Sequence, residues 1–442
     1  MTALARLRDR FVGLVLGDAG GGIVLLLAAI GAILMANSPF SFVHWRIWHH
    51  VIAIDLGFVS VSHDLQHWVN DGLMTIFFFL VGLEIKREMV DGSLSNLRAA
   101  SLPLIAALGG MIVPAGIYAV LNWGGPGSSG WGIPMATDIA FALGVLALLG
   151  RSMPSTLRLF LLALATVDDI GAILVIAVFY TEKLSFSALA FAAVLLTAMI
   201  VMRRTRVRSD FLLLFTGVLF WFAVLMSGIH ATIAGVILGL VTPTTAPLDY
   251  HSTAEFSDML VRRLRSALHR ADYDTAKHMI EELGELVEDT QSPVERLEHA
   301  IRPWVTYAVL PLFALANSGI VLSWSELRGA VTHPVTLGVA FGLVLGKVVG
   351  VLGFSWIAVR LRIAELPGGA TWAHMAGIGL LAGIGFTVSL FITGLAFTDE
   401  RLVTNAKLAI LVASAVAGTA GFFVLRLLAA RRRVKQEQPV AA

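Results

Sequence analysis

The chain contains no cysteine. That excludes disulfides and thiolate metal sites. Charge is scarce as well: 14% of the 442 residues are Asp, Glu, Lys or Arg, against about 25% in soluble domains. With 57% hydrophobic residues and a mean hydropathy of +0.82, a soluble enzyme with a single anchor is excluded. The composition is that of an all-α polytopic membrane protein. A pI near 9.0 does not indicate nucleic acid, because no Lys/Arg face carries interleaved aromatics. The basic residues instead flank apolar segments, as membrane topology requires. Phosphate-binding loops and serine-nucleophile motifs are missing, so the chain reads as no enzyme, and no cofactor is implied. His49, His50, His63 and His67 lack metal-ligand spacing.

What is present is a succession of apolar runs. They fall near 19–36, 70–85, 101–121, 131–150, 157–180, 184–202, 210–227, 229–241, 300–320, 334–359, 372–396 and 405–429, each of roughly helix-spanning length. The first follows a basic start (Arg6, Arg8, Arg10) without a small-x-small cleavage site, and reads as a retained helix rather than a signal peptide. The chain thus divides into spans 1–8 (residues 1–241), a long charged loop (242–299), spans 9–12 (300–429) and a basic tail (430–442). Counting twelve spans with both termini in the cytoplasm places 26 of the 32 Lys and Arg residues on the cytoplasmic side and five on the other, with Lys347 inside the membrane. A miscount by one span would scramble that asymmetry.

Two loops are distinctive. Residues 43–62 are rich in β-branched residues, with a turn predicted at Asp55-Leu56-Gly57. This reads as an extracytoplasmic hairpin whose open edge can pair with a second copy. In the 242–299 loop Met279, Ile280, Leu283, Leu286 and Val287 recur at helical spacing, which predicts one or two amphipathic cytoplasmic helices.

The chemistry lies in charges placed where lipid-spanning segments should have none. Asp168 and Asp169 are adjacent in the middle of the run from Leu157 to Phe179, Asp138 lies in the fourth span and Lys347 in the tenth. An ionised acid at the bilayer centre costs roughly 2.5–3.5 kcal/mol on insertion scales, and the residues that bear that cost usually handle ions or protons. Carboxylate oxygens are hard ligands suited to small hard cations. With all four groups ionised the cluster has a net charge of −2, and cation and proton compete for the same oxygens. If only a loaded site switches sides, that competition yields cation/proton antiport. The alternative from the same acidic cavity is a cation channel.

Spans four and eleven carry helix-breaking features: Pro134 before Thr137-Asp138, and Gly377, Gly379, Gly383 and Gly385. Such breaks are tolerated at membrane depth where the backbone lines a cavity. At matching positions of two halves they mark a transporter binding site. The Gly346/Gly350 pair around Lys347 is also a helix-packing motif, which explains the glycines but not the lysine. Glu84, Arg87 and Glu88 share one helix face at the end of span two, as a surface ion-pair patch or a gating cluster. His230, before span eight, reads as structural or as part of that gate.

Several segments closely resemble the bacterial NhaA sodium/proton antiporters. They are Phe77–Glu88 (Phe-Phe-Phe-Leu-Val-Gly-Leu-Glu-Ile-Lys-Arg-Glu), Pro134–Gly150, Ala-Thr-Val-Asp168-Asp169-Ile-Gly-Ala, Ser-Gly-Ile-His230-Ala-Thr, Arg-Leu-Glu298-His and Gly-Ile-Gly-Phe-Thr387. The likeness runs through nearly the whole chain. It implies inverted repeats, a property for which this family is a standing example, with two interrupted helices crossing at mid-membrane in spans 4 and 11. It implies that Asp169, with Asp168, binds sodium or lithium and carries the exchanged protons. It implies that Lys347 pairs with Asp168 in charge compensation, and that Thr137 and Asp138 lie at the crossing, with Asp138 balancing the helix termini. Glu84, Arg87, Glu88, Glu298 and His230 fall to the pH-response region. The resemblance further implies electrogenic exchange favoured at alkaline pH, a homodimer built through residues 43–62, and residence in the bacterial inner membrane.

Overall fold

Long apolar runs satisfy their backbone polar groups only internally, and nearly every apolar segment here is helical. The computed structural model describes residues 20–55, 60–150, 153–181, 184–205, 210–246, 250–321 and 324–437. Arg6, Arg8 and Arg10, and most of the turn predicted at Asp55-Leu56-Gly57, lie outside them. In chain order come α1 (Gly20–Ala36), α2 (Ser41–Trp48), β1 (Val51–Asp55), β2 (Ser60–Asp64) and α3 (Leu65–Val90). Next are α4 (Leu97–Leu121), a 3-10 turn Ser128–Met135, α5 (Ile139–Ala147), α6 (Ser155–Phe179), α7 (Phe186–Arg204), α8 (Asp210–Leu225) and α9 (Thr232–Val241). The second half holds α10 (Tyr250–His269), α11 (Tyr273–Asp289), α12 (Pro293–Trp304), α13 (Leu310–Asn317), α14 (Trp324–Val331), α15 (Pro334–Arg360), α16 (Trp372–Ala382), α17 (Phe386–Ala396) and α18 (Glu400–Glu437).

Among the described residues seven helices are long and apolar enough to cross a membrane singly. Two bent pairs meet that test together: α1 with α2 at 115° and α16 with α17 at 46°. The apolar parts of α8 and α9 are shorter.

Two segments depart from the sequence reading. The hairpin strands pair from Val51↔Asp64 to Asp55↔Ser60, so the start of residues 43–62 is not hairpin: α2 occupies 41–48. The helix predicted to begin at 300 begins at Pro293, where Ser292 and Glu295 form a reciprocal cap. It continues through a π-helical turn, Val305–Val309, into α13. Within the 242–299 loop, ahead of α12, two helices, α10 and α11, pack together. Asp272 caps the second through the Thr275 N–H and hydroxyl, and these two hydrogen bonds hold its carboxyl below the usual aspartate range.

Small residues set how closely the spans approach. A Cβ on Gly350 of α15 would meet the Gly109 carbonyl oxygen of α4 at 2.1 Å, and one on Gly109 would meet the Gly350 oxygen at 2.3 Å. In membranes such contacts replace the hydrophobic drive that holds helices together in water. Gly235 and Gly239 of α9 do the same against Thr75 and Gly82 of α3. The α4–α15 contact matters most, because it brings Lys347 of α15 alongside α6. Gly350→Ala is therefore expected to cost about 1–3 kcal/mol of overpacking, read as a lower melting temperature of the detergent-purified protein. Gly353→Ala, three residues on with nothing within 4 Å of the added methyl, should leave it unchanged. Equal melting temperatures for the two variants would refute the tight crossing.

Candidate functional site

The site grows from two interruptions in helical backbone. Between the 3-10 turn and α5, residues 136–138 are non-helical, and Ala136 is extended at φ −77°, ψ 147°. Between α16 and α17, residues 383–385 break the span. The two breaks meet: Asp138 N–H donates to the Ile384 carbonyl at 2.6 Å, and the Thr137 hydroxyl lies 2.9 Å from the Ala382 carbonyl. Each break leaves helix ends whose orphan groups need partners.

Asp138 serves both N-terminal ends. Its Oδ1 accepts from the Phe141 N–H at 3.0 Å, capping α5. Its Oδ2 accepts from the Thr387 N–H at 3.1 Å and the Thr387 hydroxyl at 2.7 Å, at the start of α17. A helix N-terminus carries roughly half a positive charge, so one carboxylate faces two such ends. Asp138 is 2% exposed, and this is the arrangement that makes its burial tolerable.

Asp168 and Asp169 project from α6 in different directions, as adjacent helical residues must, and they meet different surroundings. Asp168 and Lys347 are both fully buried and form an ion pair through Asp168 Oδ2. The Thr137 hydroxyl lies 2.6 Å from that oxygen, and Lys347 Nζ lies 3.0 Å from Thr137 Oγ1. Thr137 has one hydroxyl proton and two acceptors, Asp168 and Ala382, so it serves one at a time. Gly110 of α4 faces this pair; a Cβ there would stand 3.7 Å from Lys347 Cδ and 3.9 Å from Asp168 Oδ1. Asp169, 3% exposed, forms no ion pair among the described residues. Buried oxygens on both residues, Asp168 Oδ1 and Asp169 Oδ1, have no donor among the described residues.

Asp169 instead faces a cavity of about 430 Å³, lined also by Asp138, Thr387, Glu84, Arg158 and Arg302. Lys347 and Asp168 are not among its lining residues. The cavity joins the carboxylate site to the charged residues at the end of α3. There Arg87 donates to Glu298 at 2.8 Å, Arg302 donates to Glu84 at 2.8 Å, and Arg302 also bonds the same Glu298 oxygen.

The structure thus brings Thr137, Asp138, Asp168, Asp169 and Lys347 together, and Glu84, Arg87 and Glu298 together. It separates two predicted members. Glu88 turns away from the ion-pair cluster and accepts from the Ser93 N–H at 2.8 Å and the Ser93 hydroxyl, because the chain turns just beyond α3. His230 lies against the Tyr180 carbonyl at 2.5 Å, tying the turn before α9 to the end of α6. Sequence reading missed Arg302, although its place four residues after Glu298 was a usable signal. It also missed Thr387 as a site residue, although that residue stands two positions after the last glycine of the cluster.

The sequence model of the family described as Na+/H+ antiporter 1 matches residues 14–425. A sodium/proton antiporter NhaA 2 of Syntrophotalea carbinolica is 47% identical over 435 residues, covering 97% of this chain and 99% of its own length. NhaA proteins of Janthinobacterium sp. and Rhodopirellula baltica are each 45% identical. The first spans 96% of this chain and 93% of its own length, the second 92% and 91%. With a family match across nearly all of its length and relatives this similar end to end, the chain belongs to the Na+/H+ antiporter 1 family.

Proposed function

We propose that this chain is a secondary active, electrogenic antiporter that exports sodium (or lithium) in exchange for protons, and is no enzyme. The observation that carries this reading is the inequality of the two adjacent carboxylates. Asp168 has Lys347; Asp169 forms no ion pair among the described residues and opens onto the cavity. Asp169 would bind the cation and exchange it for a proton, with Asp168 contributing its donor-free oxygen. Hard oxygen ligands suit sodium and lithium. Lys347 would compensate Asp168 when the cation is absent. If the ion pair also loosens and takes part, more than one proton moves per sodium, and the exchange carries net charge. Thr137 would orient Asp168, and Asp138 would hold the two interrupted spans together. The comparisons do not favour an open channel, and a fixed ion pair at the centre of two interrupted helices suits alternating access better.

Regulation by pH would reside in Glu84, Arg87, Glu88, Glu298 and His230. Its core would be the three-way contact of Arg302 with Glu84 and Glu298 at the cavity's charged end. We place the protein in the bacterial inner membrane with both termini cytoplasmic, on the Lys/Arg distribution. The β1–β2 hairpin would join two copies outside the membrane.

Three outcomes test the reading. Purified protein in liposomes with an acidic interior should alkalinise the lumen when sodium, but not potassium, is added outside. Asp169→Asn should abolish the response while the protein remains in the membrane; full exchange by this variant would remove Asp169 from the mechanism. In the same vesicles a potential-sensitive dye should report an interior turning negative as sodium enters, because more positive charge leaves as protons. An electroneutral response would overturn the excess of protons. Glu84→Ala should displace the pH profile of exchange without eliminating it. An unchanged profile would reduce the Glu84–Arg302–Glu298 contact to a structural ion pair.

A further inference from the structure

The α10–α11 hairpin leaves an apolar face uncovered. Each helix packs principally against the other. Leu260, Ala267, Ala276 and Met279 are buried. A second set of apolar residues lies outside that core: exposed Ala254 and Leu268 with half-buried Val261 on α10, and exposed Tyr273, Ile280 and Val287 on α11. Leu268, Tyr273, Ile280 and Val287 are each more than half exposed. The second set repeats every seven residues on each helix, which keeps it in one stripe, while the buried residues are spaced by seven on α10 and by three on α11, both of which hold one helix face. The helices run antiparallel about a short turn, so Leu268 stands level with Tyr273, Val261 with Ile280 and Ala254 with Val287. On antiparallel helices, displacements of this hand from the shared core fall on the same side of the hairpin. The result is a two-stripe apolar face three layers long. Among the described residues the opposite side carries the exposed Phe256 and Met259, followed by Arg263.

Charge decides what covers this face. The α10 helix has three arginines (Arg262, Arg263 and Arg265) and two acids, whereas α11 has one lysine and six acids. The three arginines are exposed and form no ion pair among the described residues. The hairpin as a whole is acidic, which opposes a membrane surface bearing anionic lipid. A second copy turned face to face sets each basic α10 beside the partner's acidic α11 while the apolar stripes meet. We infer that this hairpin pairs with the same hairpin of a second copy as a four-helix bundle with an a/d-type core. The contact lies at the Glu84 end of the molecule, since Pro243 and Val294 at the hairpin's base join beside α9 and Thr242 shares a cleft with Lys86. It is thus a contact separate from the β1–β2 hairpin, and it does not rest on the choice of transported ion.

Because the chain has no cysteine, single introduced cysteines report without background. Full-length Ile280→Cys in membrane vesicles, treated with a short permeable bis-maleimide, should give a covalent dimer. Glu285→Cys, exposed on the other side of α11, should give none, and adding Leu268→Glu to Ile280→Cys should abolish the dimer. Sodium-dependent exchange in the Leu268→Glu variant would show that the membrane part still folds. Equal crosslinking at 280 and 285 would mean chance collision and would overturn the bundle. So would an adduct of a mass other than twice the chain, which would indicate a different protein. A fluorophore at position 280 quenched by acyl-chain probes would assign the face to lipid instead.

Discussion

Backbone that leaves a helix at membrane depth must find hydrogen bonds in the protein, since lipid offers none. Asp138 meets that constraint for both interrupted spans at once. It caps α5 through Phe141, receives the start of α17 through Thr387, and joins the facing break by its own N–H to Ile384. One residue therefore satisfies donors on two segments far apart in sequence and sets a negative charge against two positive helix ends. The position of everything else at the site follows from this crossing, including Thr137 one residue earlier.

Around the crossing, charge is paired unequally. Asp168 and Lys347 form a fully buried pair with Thr137 beside them. Removing one partner from such a pair typically costs about 3–5 kcal/mol, because the other is left buried and uncompensated. Asp169 stays outside that arrangement and faces the cavity. The pairing depends on close helix approach. Gly109 and Gly350 let α4 and α15 touch backbone to backbone, and Gly110 leaves room beside Lys347 and Asp168. Glycine packing and the electrostatics of the site are thus one feature seen at two scales.

At the other end of the cavity a permanently charged guanidinium, Arg302, holds Glu84 and Glu298 from two different helices. Movement of α12 relative to α3 would break the Arg302–Glu84 and Arg87–Glu298 contacts and leave Arg302–Glu298 intact within α12, which ties the charged rim mechanically to helices that line the cavity. The α10–α11 hairpin lies between α9 and α12 in the chain, so a second copy docked on it would bear on the same helix, α12.

Much of this was legible in the residues alone. Acids and a lysine inside apolar runs are costly wherever they point, so Asp138, Asp168, Asp169 and Lys347 declared themselves without coordinates. Proline and glycine in spans four and eleven marked the breaks for the same reason. Helical periodicity located the amphipathic segment around Ile280, and β-branched residues announced the strands near Val51. Sequence spacing could not distinguish Asp168 from Asp169, because partners 31 and 179 residues away, Thr137 and Lys347, decide which one is neutralised. Nor could it separate Glu88 from Arg87: both lie on one helix face, but a turn at Ser93 claims the first and Glu298, 211 residues on, claims the second. The sequence by itself determined which groups must be buried and which segments must be helical, since those follow from local chemistry and the cost of polar groups in lipid. Tertiary structure alone decided which carboxylate pairs with Lys347, because that depends on contacts between helices that the chain order does not specify.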